Sequence, residues 1–370
     1  MKLKKFDMEN WFEKTKDAKY NFSESGVPDI SLNYLLKKTN KEITQFGDIS
    51  LGNNDIYGSI SIREKISKLY KNVKPEQIIT TTGSSEGIYI LFNLILNEKS
   101  KVLLLKPSFP MLYLVPKALN CKVYEINMLK YKSNENLINA ICLKIKKVEP
   151  DLIIINTPHN PTGLVLEKEH VDKIINTSKK IKTKILFDEH YRYLPFKDNN
   201  LESFFDIYKS NNNIFAVGSV NKCLGIVGVR LGWVLLNNEK LKRDIAMYKN
   251  YTTHCIPKIN EKIVELGIEN IEKLTEPFKK RINRNWELLK KSKAVKENIL
   301  QLNYNLEGGC IYFPKTLSNS KELSERLFKK YSISVMPGEM FNVKNHIRIN
   351  LSLNTKNFKY LLETIYKEEK

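Results

Sequence analysis

Lys222 stands in the run Ser219-Val-Asn-Lys222-Cys-Leu-Gly225-Ile-Val-Gly228-Val-Arg230-Leu-Gly232, where hydrogen-bond donors and glycines surround one amine. A lysine becomes a nucleophile or proton carrier only when desolvation or neighbouring cations lower its pKa, and Arg230 is a candidate for that cation. The glycines leave the backbone thin enough for a ligand to approach closely. Ser219 and Arg230 offer a hydroxyl and a guanidinium, a pair suited to a phosphate. A surface lysine in a glycine-containing loop would look the same, so the run gains weight only from its companions.

Three companions lie upstream. Asn156-Thr-Pro-His-Asn160-Pro161-Thr-Gly163 follows the apolar run Leu152–Ile155 and reads as a loop leaving a buried strand, with a candidate cis bond before Pro161. Lys184-Ile-Leu-Phe187-Asp188-Glu-His-Tyr191 reads as a strand that ends in an acid, with a phenol three residues on. Parallel sheets present ligands at the carboxyl ends of their strands, so Asp188 would face a site; a helix cap is the plainer alternative. Thr81-Thr-Gly83-Ser84-Ser85-Glu-Gly-Ile88 opens an apolar helical stretch to about Leu96. Its first N–H groups and hydroxyls could face an anion, or simply cap the helix. Downstream, His346-Ile-Arg348-Ile-Asn-Leu351-Ser352 carries an arginine able to grip a carboxylate with two parallel donors, or to flank a strand without further role.

Together and in this order, these segments resemble the fold-type I, pyridoxal-phosphate-dependent aminotransferases of class I and II, over about Gly26 to Ser352. The resemblance implies that Lys222 forms the Schiff base with pyridoxal 5′-phosphate and then carries the proton. It implies that Asp188 pairs with the pyridinium nitrogen and that Asn160 and Tyr191 contact the ring's phenolic oxygen. By the same likeness Gly83, Ser84, Ser85, Ser219 and Arg230 cradle the phosphate, and Phe109 stacks on the ring. Arg348 would clamp the substrate's α-carboxylate, with Asn160 beside it and the Gly26-Val-Pro-Asp29 loop closing over it. A homodimer that shares its active sites is implied as well.

The chain departs from that pattern in two places. The usual Ser-x-Ser-Lys reads Ser219-Val-Asn221-Lys222. The tyrosine that reaches a neighbouring subunit's phosphate is replaced, near Asn53 and Asn54, by a displaced Tyr57 directly before Gly58. The opening, from Phe6 to Trp11 and Ser23 to Leu32, also resembles capreomycidine synthase and related cyclases, which act on a hydroxyarginine. A guanidinium substrate would want carboxylates in the pocket, for which Glu24, Asp29 and Asp55 are candidates. The function expected is amino-group transfer between an amino acid and a keto acid. The alternatives are a lyase or cyclase reaction on the same lysine, or a non-catalytic binding protein on the same scaffold.

The elements that must position these groups alternate. Apolar runs at Val102–Leu105, Val123–Ile126, Leu152–Ile155, Ile185–Phe187, Ile214–Val217 and Trp233–Leu236 alternate with helical stretches, the pattern of an α/β fold with a mostly parallel sheet. Glu261 to Lys293 reads as bridging helices. Beyond it, strands are expected at Leu302–Leu306, Cys310–Phe313, Ser332–Met336 and Ile347–Leu351, and helices at Lys321–Lys330 and Phe358–Lys367. The expected division is an arm (1–40) packed on a smaller α+β domain (256–370), with a large cofactor-binding domain (41–255).

Composition closes off other classes. With 370 residues and 42% hydrophobic content the chain can bury more than one core. Its five cysteines lack C-x-x-C spacing, so neither a disulfide framework nor a metal site is expected, and Cys223 reads as a small buried apolar group. The start is basic but has no long apolar run, so no leader or membrane span is expected and the cytoplasm is the expected setting. The net charge of +20 is spread along the chain without a nucleic-acid-binding motif, which predicts a solvated basic surface rather than a DNA or RNA partner.

Overall fold

Strands covered on both faces appear in sequence as unbroken apolar runs, because neither face is left to water. In this computed structural model, which describes residues 5–196, 201–208 and 210–370, those runs assemble into one seven-stranded sheet. The basic start, Met1–Lys4, lies outside the described residues. The strands are β1 (Ile78–Thr82), β2 (Lys101–Lys106), β3 (Lys122–Asn127), β4 (Leu152–Asn156), β5 (Lys184–Asp188), β6 (Ile214–Gly218) and β7 (Leu231–Leu235). Their order is β1-β7-β6-β5-β4-β2-β3. Strands β2 to β6 pair in parallel, and β7 runs antiparallel to both β6 and β1.

Side chains alternate across this sheet into two cores. Leu103, Ile153 and Phe187 face one helical layer with Ile138 and Ile174. Leu104, Ile154 and Leu186 face the other with Leu91 and Phe92. The functional consequence lies at the strand ends. Register pairs Asn156 with Asp188, and Asp188 with Val217, so β4, β5 and β6 finish side by side. Strand β1 has no counterpart in the sequence reading, which opens its element at Thr81. Its three threonines hide a strand that is buried from Ile78 to Thr81.

A third apolar cluster joins Phe22, Trp286, Tyr312, Leu323 and Leu361. It includes a three-stranded antiparallel sheet of β8 (Ile311–Tyr312), β9 (Met336–Pro337) and β10 (Ile347–Asn350), with β10 in the middle. Helices at Ser320–Tyr331 and Thr355–Glu369 lie where the sequence predicts them. The predicted bridging stretch is two helices, Lys258–Glu269 and Ile271–Lys291, with Asn270 at the break. The strand expected over Leu302–Leu306 is displaced to Leu300–Gln301. The later residues alternate like a strand because Tyr304 and Leu306 pack into the core. Hydroxyl bonds, including Tyr304 Oη donating to the Phe313 carbonyl at 2.9 Å, take the place of a ladder. At the amino end, helix α1 (Asp7–Lys14) precedes a short segment, Tyr20–Asn21, that pairs in parallel with Ile333–Ser334.

Candidate active site

Where β4, β5 and β6 end, the chain must turn, and its polar residues gather over the sheet. A cavity of about 320 Å³ opens there. Gly26, Gly83, Ser84, Ser85, Phe109, Asn160, Asp188, Tyr191, Ser219, Lys222 and Arg230 all line it, which brings together the residues that the resemblance assigns to cofactor or substrate, apart from Arg348.

Lys222 lies just beyond β6, in the one-turn helix Asn221–Leu224. Its Nζ donates to Ser25 Oγ at 2.9 Å and to Tyr191 Oη at 3.4 Å, and lies 5.7 Å from the centroid of Phe109. Burial holds its pKa below the ordinary lysine value, and the Arg348 guanidinium lowers it further. The cation that matters most here is therefore Arg348 rather than Arg230. Tyr191 is 2% exposed, and burial raises its phenol well above the usual range, so it is a neutral hydrogen-bonding group.

Asp188 closes β5 at 6% exposure, with its Oδ1 3.2 Å from His190 Nδ1. The Asn160–Pro161 bond is cis, as expected, and the Asn160 amide N–H donates to Asn156 Oδ1 at 2.6 Å. Cys223 and Cys310 flank the lysine as buried thiols whose pKa burial raises, Cys310 to about 12.

At another side of the cavity, helix α2 (Gly83–Ile95) begins without a side-chain cap. The Gly83 N–H donates to the Arg230 carbonyl at 2.8 Å, which leaves the following N–H groups, of Ser84 and Ser85, to face an anion. Gly83 has φ of +68°, and a Cβ there would lie 2.8 Å from Arg230 Nη2, so glycine is what lets the guanidinium rest against the helix start. Arg230 itself makes a long 3.4 Å bond to the Val227 carbonyl, leaving most of its fork free. Ser219 is more committed: its hydroxyl donates to the Leu231 carbonyl at 3.0 Å and accepts from the Asn221 N–H at 3.1 Å.

Arg348, in the middle of β10, is fully buried and lies behind the wall. Its Nη1 donates to Asn160 Oδ1 at 3.1 Å and its Nη2 to the Ser23 carbonyl, while Nε has no partner. The Ser23–Gly26 segment therefore closes over the arginine. It is fastened there by the Val27 N–H donating to the Lys222 carbonyl at 2.8 Å and by Asn350 Nδ2 donating to the Gly26 carbonyl at 2.6 Å.

Of the acids considered for the pocket, Glu24 alone lines it. Asp29 borders a separate hollow with Leu32 and Gly225, and Asp55 lies 3.9 Å from Arg63 Nη2. Asn53, Asn54 and Tyr57 are not on the wall either. Asn54 bonds the Ile256 carbonyl at 3.0 Å, and Tyr57 packs under Lys242.

The cavity also holds residues to which the sequence reading gave no role: Met8, Glu9 and Phe12 of α1, Ser25, and His190. His190 had a legible signal, since two residues along an extended chain return to the same side as Asp188. Its ring nitrogens both lie 3.2 Å from Ser84 Oγ, linking the acid to the start of α2. Helix α1 offers no such signal, because only tertiary packing carries it to the cavity.

A cation-and-amide cradle, a half-buried lysine of lowered pKa and a strand-end acid suit the phosphate, the carbonyl carbon and the basic ring nitrogen of pyridoxal phosphate. The sequence family described as aminotransferase class I and II matches residues 20–365, and the chain belongs to that family. It is a pyridoxal-phosphate-dependent aminotransferase of α/β fold. The chain is 26% identical to an aspartate aminotransferase of Sulfurisphaera tokodaii, covering 94% of this chain and 89% of that protein. It is also 21% identical to a capreomycidine synthase of Streptomyces vinaceus, covering 93% and 88%. A PLP-dependent aminotransferase from Streptococcus suis superposes with a TM-score of 0.88 at 22% identity, over 100% of this chain and 99% of that one. Among the described residues no helix is long and apolar enough to cross a membrane.

Proposed function

We propose that Lys222 is the residue that carries the cofactor and moves the proton, in a reaction that transfers an amino group from an amino acid to a keto acid. The observation that supports this best is the position of Nζ: buried, lowered in pKa, and within reach of both Ser25 and Tyr191. Bound pyridoxal phosphate supplies an electron sink for the bond that breaks at the substrate's α-carbon.

The chain's own residues do the rest. Asp188 would pair with the ring nitrogen and so favour its protonated form. Gly83, Ser84, Ser85, Ser219 and Arg230 hold the phosphate, with Phe109 against the ring and Asn160 and Tyr191 on its phenolic oxygen. Lys222, once free, accepts the α-proton as an amine, for which its lowered pKa suits it at neutral pH. Arg348 receives the α-carboxylate by exchanging the Ser23 carbonyl for a charged partner, which forms the stronger bond. Gly26 and its neighbours exclude water above it.

The division into an arm of residues 1–40, a cofactor-binding domain of 41–255 and a smaller domain of 256–370 belongs to the same reading. So does a homodimer, favoured by the exposed Leu51, Met247 and Tyr251. The five free thiols agree with a reducing cytoplasm.

The test is spectroscopic. Purified protein loaded with the cofactor should lose its visible band on adding a donor amino acid and regain it on adding a keto acid. A band unaltered by any amino acid would contradict transfer. The likeness to a capreomycidine synthase favours a second reading, a cyclase or lyase on the same lysine. Product formation from a hydroxyarginine with no keto acid required would establish it instead.

A further inference from the structure

We propose that the preferred amino donor carries a cationic side chain, a guanidinium or an ammonium, and that Glu24 and Glu9 are the specificity-determining residues that receive it. This rests on the active-site assignment above and names the substrate class of that site.

The argument begins with what the cavity leaves unpaired. Glu9 comes from α1 and Glu24 from the segment before Gly26, and both line the wall. Among the described residues neither carboxylate has a hydrogen bond or an ion pair, although the surface carries many paired acids such as Glu325, Asp172 and Glu368. Glu24 is exposed by area to the cavity, yet the protein around its carboxyl still desolvates it and raises its pKa. Arg348 and Lys222 offset part of that rise, while Asp29 and Glu9 add to it. In a chain of net charge +20, two unpaired acids on the wall of the active cavity run against the prevailing charge.

Two further atoms define the ligand. Arg348 is fully buried and its Nε has no partner, an opening for an anionic group. Asn221, 4% exposed on the same wall, has an Oδ1 without a partner, an opening for an N–H donor. A molecule that satisfies both sets has a carboxylate at one end and a cation at the other. On the same wall, Met8 and Phe12 supply apolar surface suited to a methylene stem. A dicarboxylic donor such as aspartate would bring a second negative charge toward Glu24 and Glu9 and be repelled.

The experiment compares arginine, lysine, methionine and aspartate as donors to the cofactor-loaded enzyme with one keto acid acceptor. The expected kcat/KM for arginine or lysine exceeds that for aspartate by about 100-fold, the scale of one or two charge-assisted contacts. In Glu24→Gln and Glu9→Gln the ratio of kcat/KM for the basic donor over methionine should fall about 10-fold, carried mainly by KM. Aspartate used as well as arginine would overturn the proposal and leave the site assignment standing. A fall in all donors together, with the ratio unchanged, would overturn it too, by showing the acids to be structural. Transfer from no donor would overturn both.

Discussion

The floor and the roof of the cavity follow opposite rules. The floor is built from strand ends: Asp188, Asn160 and Tyr191 are buried, Lys222 is half-buried, and each is bonded to a neighbour. The roof is an amino-terminal helix and loop whose acids, Glu9 and Glu24, are exposed and unpaired. Groups that must hold one protonation state need fixed, dry surroundings, and the sheet provides them. Groups that choose among substrates need only to present charge where a side chain will arrive. On the proposed reading the sheet sets the reaction and the amino-terminal segment sets the preference.

The largest expected effect is on the floor. Lys222→Ala should lower turnover at least about 10³-fold, within the range for removal of a positioned acid–base group, and abolish the visible band. Asp188→Asn should follow at about 10²-fold in kcat, with faster loss of cofactor on dilution. If either variant changed only the choice of donor, the division between floor and roof would fail.

Arg348→Lys tests the join between the two, because Arg348 touches Asn160 below and Ser23 above. A point charge in place of a planar fork should raise KM for all α-amino acids by about 10- to 100-fold, with a smaller change in kcat. The same arginine sharpens a pH prediction. Lys222 is lowered by burial and then by Arg348, so cofactor capture by the empty protein should rise with pH through a midpoint below the ordinary lysine value. Arg348→Met removes a like charge, favours the ammonium and should move that midpoint upward. A downward shift would contradict it.

The smallest effect is expected at His190→Gln. Loss of one hydrogen bond to Asp188 should weaken cofactor binding about 2- to 10-fold in a titration.

The floor was legible in the sequence because its causes are local. Leu152–Ile155 and Ile185–Phe187 are continuous apolar runs, and Asn160 and Asp188 stand where such runs stop. Glycine at 83 marks the α2 turn by itself. The roof was not legible. Nothing in Met8, Glu9 or Phe12 distinguishes them from any amphipathic helix, and Asp29 and Asp55 were as plausible as Glu24 until packing separated them. Arg348 stands out in the sequence by residue type alone, and its closure behind Asn160 and Ser23 depends on contacts nearly two hundred or more positions away. The strand at Ile78–Thr82 was missed because threonine suits turns and caps as well as strands.

A second lysine makes the decisive comparison. Lys249 is fully buried, and burial lowers its pKa to about 8, yet it donates to the Thr80 carbonyl at 2.8 Å and does not line the cavity. Low pKa alone would not choose between the two; position does. Borohydride reduction of the cofactor-loaded protein, followed by peptide mapping, fixes the cofactor to whichever lysine holds it. A tag on Lys222 is the expected result, and a tag on Lys249 or any other lysine would contradict the floor as described.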